Sequence, residues 1–165
     1  MSNTFTYRMP AGVVGDVTRK EQSTIETQIM DPNTPVLAYG VCIKYVSGLV
    51  QPIASGDAAT VVEGLLARPF PVQGGVADAF GSIAPNKALP CDVMKRGYMT
   101  VQQVDFATNA ATKGAQMYVQ VTADTGLAVG SIVIGSDGGK AVAIANCFAM
   151  GPADANGLLE VAYNI

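Results

Sequence analysis

The sequence predicts an all-β protein, a single-domain β-sandwich or β-barrel with an extended N-terminal arm. Several segments alternate between apolar and polar residues, as expected for strands that bury one face of a sheet. Glycine, aspartate and asparagine recur between these segments about every 8–12 residues, a spacing typical of sandwiches and barrels. In addition, the 165 residues contain 18 glycines and 9 prolines, which divide the chain into many short pieces.

The N-terminal part of the chain supplies the arm and the first hairpin. Residues 1–22 combine a short β-prone patch around Phe5 and Tyr7 with a polar stretch interrupted by proline and glycine, and they are interpreted as the arm. Residues 23–165 are interpreted as one all-β domain. Within this domain Ser47-Gly48 separates two apolar runs, which predicts a hairpin because tight turns need residues that tolerate positive φ.

Further strands are predicted toward the C-terminus. Gly64, at the centre of the short apolar segment 60–67, favours a strand or loop over a helix. The prolines and glycines of residues 69–96 predict a long irregular connection. Three alternating segments and one continuous apolar segment, which has the pattern of a strand buried on both faces, follow. The alternating ones are 97–104, 115–122 and 158–165, and the continuous one is 140–148.

The composition favours a protein whose surface is partly covered by partners. Hydrophobic residues make up 49% of the chain and charged residues only 14%, whereas about 25% charged residues is typical of soluble domains. The net charge is −3, and the only adjacent basic pairs are Arg19-Lys20 and Lys95-Arg96. Because phosphate binding needs a clustered basic face, direct binding to nucleic acid is not expected.

The sequence offers no recognised arrangement of catalytic or metal-binding residues. Histidine is absent, which excludes Ser-His-Asp and Cys-His arrangements. The three cysteines, Cys42, Cys91 and Cys147, lie far apart without CxxC spacing, so a zinc site is not expected. No phosphate-binding GxxxxGK[ST] motif occurs, and the acidic residues fall mostly in predicted turns or on solvent faces. The prediction is therefore a protein that is not an enzyme and that needs no cofactor or metal.

Neither an export signal nor a membrane segment is recognised. The N-terminus lacks the basic stretch and the apolar run that mark a signal peptide. No segment approaches the roughly 18 consecutive apolar residues of a transmembrane helix. Synthesis in a cytoplasm, without contact with a membrane, is therefore expected.

Several segments, taken in order, resemble one protein family. They are GDVTR at 15–19, AYGV at 38–41, GLLARPFP at 64–71, RGYMTV at 96–101, GPADANG at 151–157 and EVAYNI at 160–165. In this order they resemble the structural cement proteins, or capsid decoration proteins, of tailed bacteriophages. The similarity extends over nearly the whole chain, from about residue 12 to residue 165.

The resemblance implies a virion structural protein, made in the host cytoplasm, that binds the outer surface of the capsid and stabilises its subunit junctions. Its partners would be the lattice of the major capsid protein and further copies of itself, most commonly as a homotrimer. The resemblance to this family implies no catalytic residues. The alternative function is a carbohydrate- or receptor-binding module on the virion surface, although the absence of tryptophan does not favour a sugar site.

Two groups of residues are predicted to contact the capsid or a neighbouring subunit. The first is the arm, particularly Phe5, Tyr7, Val13 and Val14, which has no evident partner strand and would lie extended along a neighbouring chain. The alternative is that the arm forms an ordinary edge strand or a disordered tail.

The second group contains arginine and aromatic residues beside rigid or small ones, a composition favoured at interface hot spots. Its members are Arg68, Phe70, Arg96 and Tyr98. Arginine can bind a carboxylate through two hydrogen bonds, while an aromatic ring buries area with little loss of entropy. The alternative is that Arg68 and Arg96 form internal pairs that fix the long connection.

Overall fold

The computed structural model describes residues 12–69, 84–87 and 89–165. Within these ranges the chain forms β-strands and only short 3-10 turns, which confirms the all-β prediction. The turns are Lys20–Gln22, Ala59–Val61 and Asp137–Gly139. The strands are β1 (Thr24–Gln28), β2 (Cys42–Val46), β3 (Leu49–Pro52), β4 (Gly64–Ala67), β5 (Cys91–Gln102), β6 (Gln116–Gln120), β7 (Ile132–Ile134), β8 (Ala141–Ala149) and β9 (Leu158–Tyr163).

The strands join into one curled, antiparallel sheet that resembles half of a barrel. Their order is β3-β2-β4-β5-β9-β8-β6-β7, and β1 also pairs with β5. The predicted hairpin is present as β2 and β3, with Val46 opposite Leu49. Its turn residues, Ser47 and Gly48, both have positive φ, as a two-residue hairpin turn requires.

Strand β5 connects the two halves of the sheet. Its N-terminal half pairs with β1 and β4, and its C-terminal half pairs with β9. The two halves are separated by a β-bulge, because Thr24 lies opposite Arg96 while the next residue, Ile25, lies opposite Met94. The extra residue, Lys95, shifts the alternation, so that Met94 and Met99 both face the same core although they are five positions apart.

Two hydrophobic cores lie on opposite faces of the first half of the sheet. The main core collects side chains from both halves, including Met94, Met99 and Leu159. The second core includes Met30, Val36, Ile43, Val50, Leu66 and Val93 and lies beneath the loop that precedes β2. Strand β4 is buried on both faces because Leu65 and Ala67 enter the main core while Leu66 enters the second.

Two segments differ from the sequence-based description. Residues 91–96, assigned to the irregular connection, form the first half of β5. The nearby prolines mask the alternation that marks this strand. Strand β8, expected to be buried on both faces, exposes Phe148 and Asn146.

The exposed face of β8 follows from a second bulge. Tyr118 lies opposite Ala143, whereas Gln116 lies opposite Phe148, so several residues of β8 loop out of the pairing. The side-chain amide of Gln116 donates to the carbonyls of Ile144 (2.7 Å) and Cys147 (3.1 Å), which satisfies backbone groups that the bulge leaves unpaired. Ile144 and Cys147 thereby both face the main core.

Replacing Gly97 by alanine should destabilise the protein more than a replacement at a roomier glycine. Gly97 has φ +140°, and an added Cβ would lie 2.1 Å from Ser23 Oγ. Gly114 also has a positive φ, but nothing lies within 4 Å of its Cβ position. We expect Gly97→Ala to lower the free energy of unfolding by about 1–3 kcal/mol more than Gly114→Ala does, because it adds overpacking to backbone strain. Urea denaturation of both variants measures the difference, and equal losses would contradict it.

Candidate functional site

The first described residues are held to the body by backbone hydrogen bonds to β5. The Gly15 N–H donates to the Thr100 carbonyl (2.8 Å), and the Thr100 N–H donates to the Asp16 carbonyl (2.9 Å). The Thr18 N–H donates to the Tyr98 carbonyl (3.0 Å). Residues 12–19 are hereafter called the clasp, and within it Val17 forms an isolated antiparallel bridge with Met99 of β5. The sequence-based boundary between arm and domain, after residue 22, remains a prediction.

The clasp requires glycine where it passes closest to the body. Gly15 has φ +86°, and a Cβ there would lie 2.5 Å from Tyr39 Cβ, so a larger residue would push the two segments apart. The Gly15 carbonyl accepts a hydrogen bond from the Arg68 N–H at 2.8 Å. Gly15 thus joins the end of β4 to β5 through both of its backbone groups.

The side chain of Arg68, which follows β4, holds the clasp by contacts with Val14 and Asp16. It is only 7% exposed. The Nε atom donates to the Val14 carbonyl (3.1 Å) and lies 3.9 Å from a carboxylate oxygen of Asp16. The guanidinium lies over the Tyr39 ring, 4.6 Å from its centroid. These contacts are internal, and they favour the alternative in which Arg68 is a structural residue; its role at an interface remains a prediction.

At the C-terminal end of the clasp, Thr18 and Arg19 bind the carboxylate of Glu160 on β9. Arg19 donates to both carboxylate oxygens of Glu160, from Nε at 3.2 Å and from Nη2 at 2.9 Å. Thr18 Oγ1 donates to the same carboxylate at 2.5 Å. The hydrogen bond from Glu160 raises the pKa of Arg19, against a smaller opposing effect of burial. The Arg19 guanidinium lies 4.0 Å from the centroid of the Tyr98 ring, so one face of that ring is already occupied.

The remaining predicted contact residues are separated by the fold. Arg96 is exposed on β5, opposite Thr24, and forms no ion pair with any other described residue. Val13 and Val14 are half-buried within the clasp. Phe5, Tyr7 and Phe70 lie outside the described residues. The structure therefore brings Val14, Arg68 and Tyr98 to the clasp and leaves Arg96 pointing to solvent, and the interface roles of all eight residues remain predictions.

An apolar groove of about 530 Å³ opens beside the clasp. Its buried walls include Val36, Ile53 and Ile132. Leu37 and Val104 form an apolar rim and are 74% and 39% exposed. The rest of the lining is Val14, Pro35, Ala38, Tyr39, Gly40, Val41, Cys42, Pro52, Ala84, Gln102, Val129, Gly130 and Ser131. None of the described lining residues carries a charge, so this part of the groove suits an apolar ligand.

Reactive groups are scarce in the part of the chain that the structure describes. No cluster of acidic, histidine or cysteine side chains suited to a metal ion occurs there. Cys42, Cys91 and Cys147 are buried free thiols. Burial raises the pKa of all three, that of Cys147 to about 12. They therefore remain protonated at neutral pH and are poor nucleophiles. None of the described helical turns is long and apolar enough to cross a membrane.

Two carboxylates hold the loops on either side of the hairpin. Asp31 accepts hydrogen bonds from the Asn33 N–H (2.8 Å) and from Gln51 Nε2 (2.6 Å), which lower its pKa. Burial alone would raise the pKa of Asp57. Its hydrogen bonds from Lys44 Nζ and the Ala54 N–H, both 2.7 Å, outweigh that effect and lower the pKa. Both loops are therefore stabilised by ionised carboxylates.

Comparison with known proteins yields one family and one shared fold. The family model described as structural cement protein (E217 gp24/Pam3 gp6) matches residues 1–164. A search of curated proteins gives no significant match. Among solved structures, a chain from "The capsid of Myoviridae Phage XM1" matches with a TM-score of 0.69 and 18% sequence identity. The alignment covers 99% of this chain and 97% of that chain. At this level of identity, the match shows a common fold.

Removing the side chains of Arg68 and Arg96 should have unequal effects on the isolated protein. Arg68→Ala deprives the carbonyl of the half-buried Val14 of a charged donor, so we expect the free energy of unfolding to fall by about 1–3 kcal/mol. Arg96→Ala removes an exposed side chain and should change it by less than about 0.5 kcal/mol. Chemical denaturation of the two variants beside the unmodified protein measures both values. Equal losses would contradict the internal role of Arg68.

Stability should decline in acid through Asp31 and Asp57. In the folded protein, both carboxyl groups have a pKa below their ordinary value of 3.8. The contribution of both carboxylates to the free energy of unfolding is therefore complete above that pH. It is lost as the pH falls through their pKa values in the folded protein. We expect Tm, followed by circular dichroism, to fall between about pH 5 and pH 2, and Asp57→Asn to flatten part of this decline. The exposed Glu21→Gln variant is the control, and an unchanged acid profile in Asp57→Asn would count against the assignment.

Proposed function

The chain belongs to the structural cement protein family of bacteriophages, and from this premise we propose that it binds the outer surface of the assembled capsid and stabilises the junctions between capsid subunits. A structural role in the phage capsid follows from the family itself. The family match over residues 1–164 is the observation that carries the proposal. The outer location, the junctions and the contact residues are the finer steps argued below.

The physical effect would be that of a ligand that binds only the native assembly. Packaged DNA pushes outward on a thin shell, and the seams between subunits open first. A protein bound across a seam must be released before the seam separates, so its binding free energy adds to the stability of the closed shell. No catalytic step is needed for this effect, and we include a non-catalytic role in the proposal.

Assembly as a homo-oligomer would strengthen modest contacts. A trimer that reaches several capsid subunits at once converts later contacts into intramolecular ones, which raises avidity by roughly 10²–10⁴-fold without any new kind of contact. We propose a trimer because three-fold and quasi-three-fold positions of a capsid lattice present matching sites to such an oligomer.

Exposed apolar side chains provide area for such contacts. Ile29 and Leu89 are 66% and 47% exposed. In a chain with only 14% charged residues, a surface of this kind is suited to coverage by a partner.

The edge formed by β1 is a second surface suited to a partner. In the described part of the chain β1 pairs only with β5, so its other edge can accept an added strand. All of its residues except Gln28 are exposed. Arg96 lies beside it, opposite Thr24, with its guanidinium available for a carboxylate of the capsid. We therefore place the capsid contact at the β1 edge and Arg96.

Adding the protein to purified, undecorated capsids should give saturable binding. We expect electron microscopy to show extra density on the outer surface over subunit junctions, and the decorated shells to withstand higher temperature than undecorated ones. Unassembled capsid protein is the control, since it lacks the composite site. A protein that stays monomeric and binds no particle would refute the proposal.

Reversing the charge at Arg96 should weaken capsid binding without loss of stability. Arg96→Glu replaces an exposed donor by a carboxylate that repels the proposed partner group, so we expect at least tenfold weaker binding, about 1.4 kcal/mol. Lys113→Glu, also at an exposed position, is the matched control for the change in net charge. Sedimentation of capsids with bound protein measures occupancy. Equal binding of the two variants would remove Arg96 from the interface.

A further inference from the structure

The apolar groove has the properties of a docking site for an extended segment with one apolar face. The described residues of its walls carry no charge, and Leu37 and Val104 keep apolar area open to solvent at its rim. The backbone N–H groups of residues 36–38 on one wall donate to no carbonyl among the described residues. An extended segment laid in the groove would cover the apolar side chains and find backbone partners at the same time.

The clasp contributes one residue to the wall of this groove. Val14 lines it, and the clasp holds that residue in place through the hydrogen bond from Arg68 to its carbonyl. The first described residue, Gly12, is only two positions before Val14, so the connection to residues 1–11 starts close to the groove wall. An extended chain from Met9 back to Phe5 spans at most about 14 Å, enough to lie along a groove of this size.

The sequence of this segment matches the groove in chemistry. Phe5, Tyr7 and Met9 occupy alternate positions, with Thr6 and Arg8 between them. In an extended chain, alternate side chains point to the same side, so the three apolar residues would form one face and the polar ones the other.

A reversal of direction is also encoded next to the clasp. Met9-Pro10-Ala11-Gly12 has proline at the second position and glycine at the fourth. That pattern is typical of a type I β-turn, in which proline presets the φ of the second residue. Such a turn would send residues 5–9 back along the body instead of away from it.

We propose that the groove is the docking site of the chain's own N-terminal segment, with Phe5, Tyr7 and Met9 in the groove and Thr6 and Arg8 facing solvent. Docking within one chain is favoured because the short connection through Gly12 gives a millimolar effective concentration. The inference goes beyond the proposed function, since it concerns the isolated protein before any capsid is bound.

A single tryptophan placed in the full chain tests this proposal. The protein contains no tryptophan, so Phe5→Trp introduces one reporter. In the isolated protein we expect blue-shifted emission and acrylamide quenching several-fold weaker than that of a peptide of residues 1–11 with the same substitution. Adding Leu37→Asp and Val104→Asp, both at the exposed rim, should move the emission to that of the peptide. Ile165→Asp, at an exposed position that does not line the groove, is the control and should leave the emission blue-shifted.

The remaining outcomes overturn the proposal. A water-exposed tryptophan in the folded protein shows that the segment does not dock, and burial that appears only on adding capsids assigns the groove to a capsid segment. If the blue-shifted emission disappears on dilution and light scattering shows dissociation, the groove is occupied by the segment of a second copy of the protein. Emission insensitive to the rim substitutions removes the groove as the site. Should Phe5→Trp lose the β-type circular dichroism spectrum, Tyr7→Trp serves for the same measurements. Capsid binding is measured separately, so a failure here is distinguishable from a failure of the proposed function.

Discussion

The structure depends on the continuity of β5 through its bulge and Gly97. The N-terminal half of this strand belongs to one half of the sheet and the C-terminal half to the other. The bulge at Lys95 shifts the alternation so that Met94 and Met99 both enter the main core. Without this shift, the second half of the strand would turn its apolar side chains to solvent, and the two halves of the sheet could not share one core.

The clasp depends on the same strand. Its backbone hydrogen bonds are made with Thr100 and Tyr98 in the second half of β5. The bulge that sets the orientation of this half therefore also sets the position of the clasp. Arg68 at the end of β4 and Glu160 on β9 secure the clasp from two other strands. The position of the clasp is therefore determined by three separate parts of the sheet, in β5, β4 and β9.

Local features were predictable from the sequence, whereas features that join distant segments were not. The β2–β3 hairpin follows from Ser47-Gly48 because a tight turn is decided by the residues within it. The ion pair between Arg19 and Glu160 joins residues 141 positions apart, and no sequence pattern near either residue predicts it. The groove likewise takes its walls from several separate segments. The family resemblance could be seen because its short motifs keep their order along the chain, even where each motif alone is only turn chemistry.

The burial of all three thiols has a practical consequence for attaching probes to the molecule. Cys42, Cys91 and Cys147 are enclosed and remain protonated at neutral pH, so maleimides and similar reagents have little access to them in the native protein. One cysteine introduced at a solvent-facing position would then be the dominant point of conjugation. Fluorophores, gold clusters or peptide antigens would be attached at a known place, with the natural cysteines left unchanged.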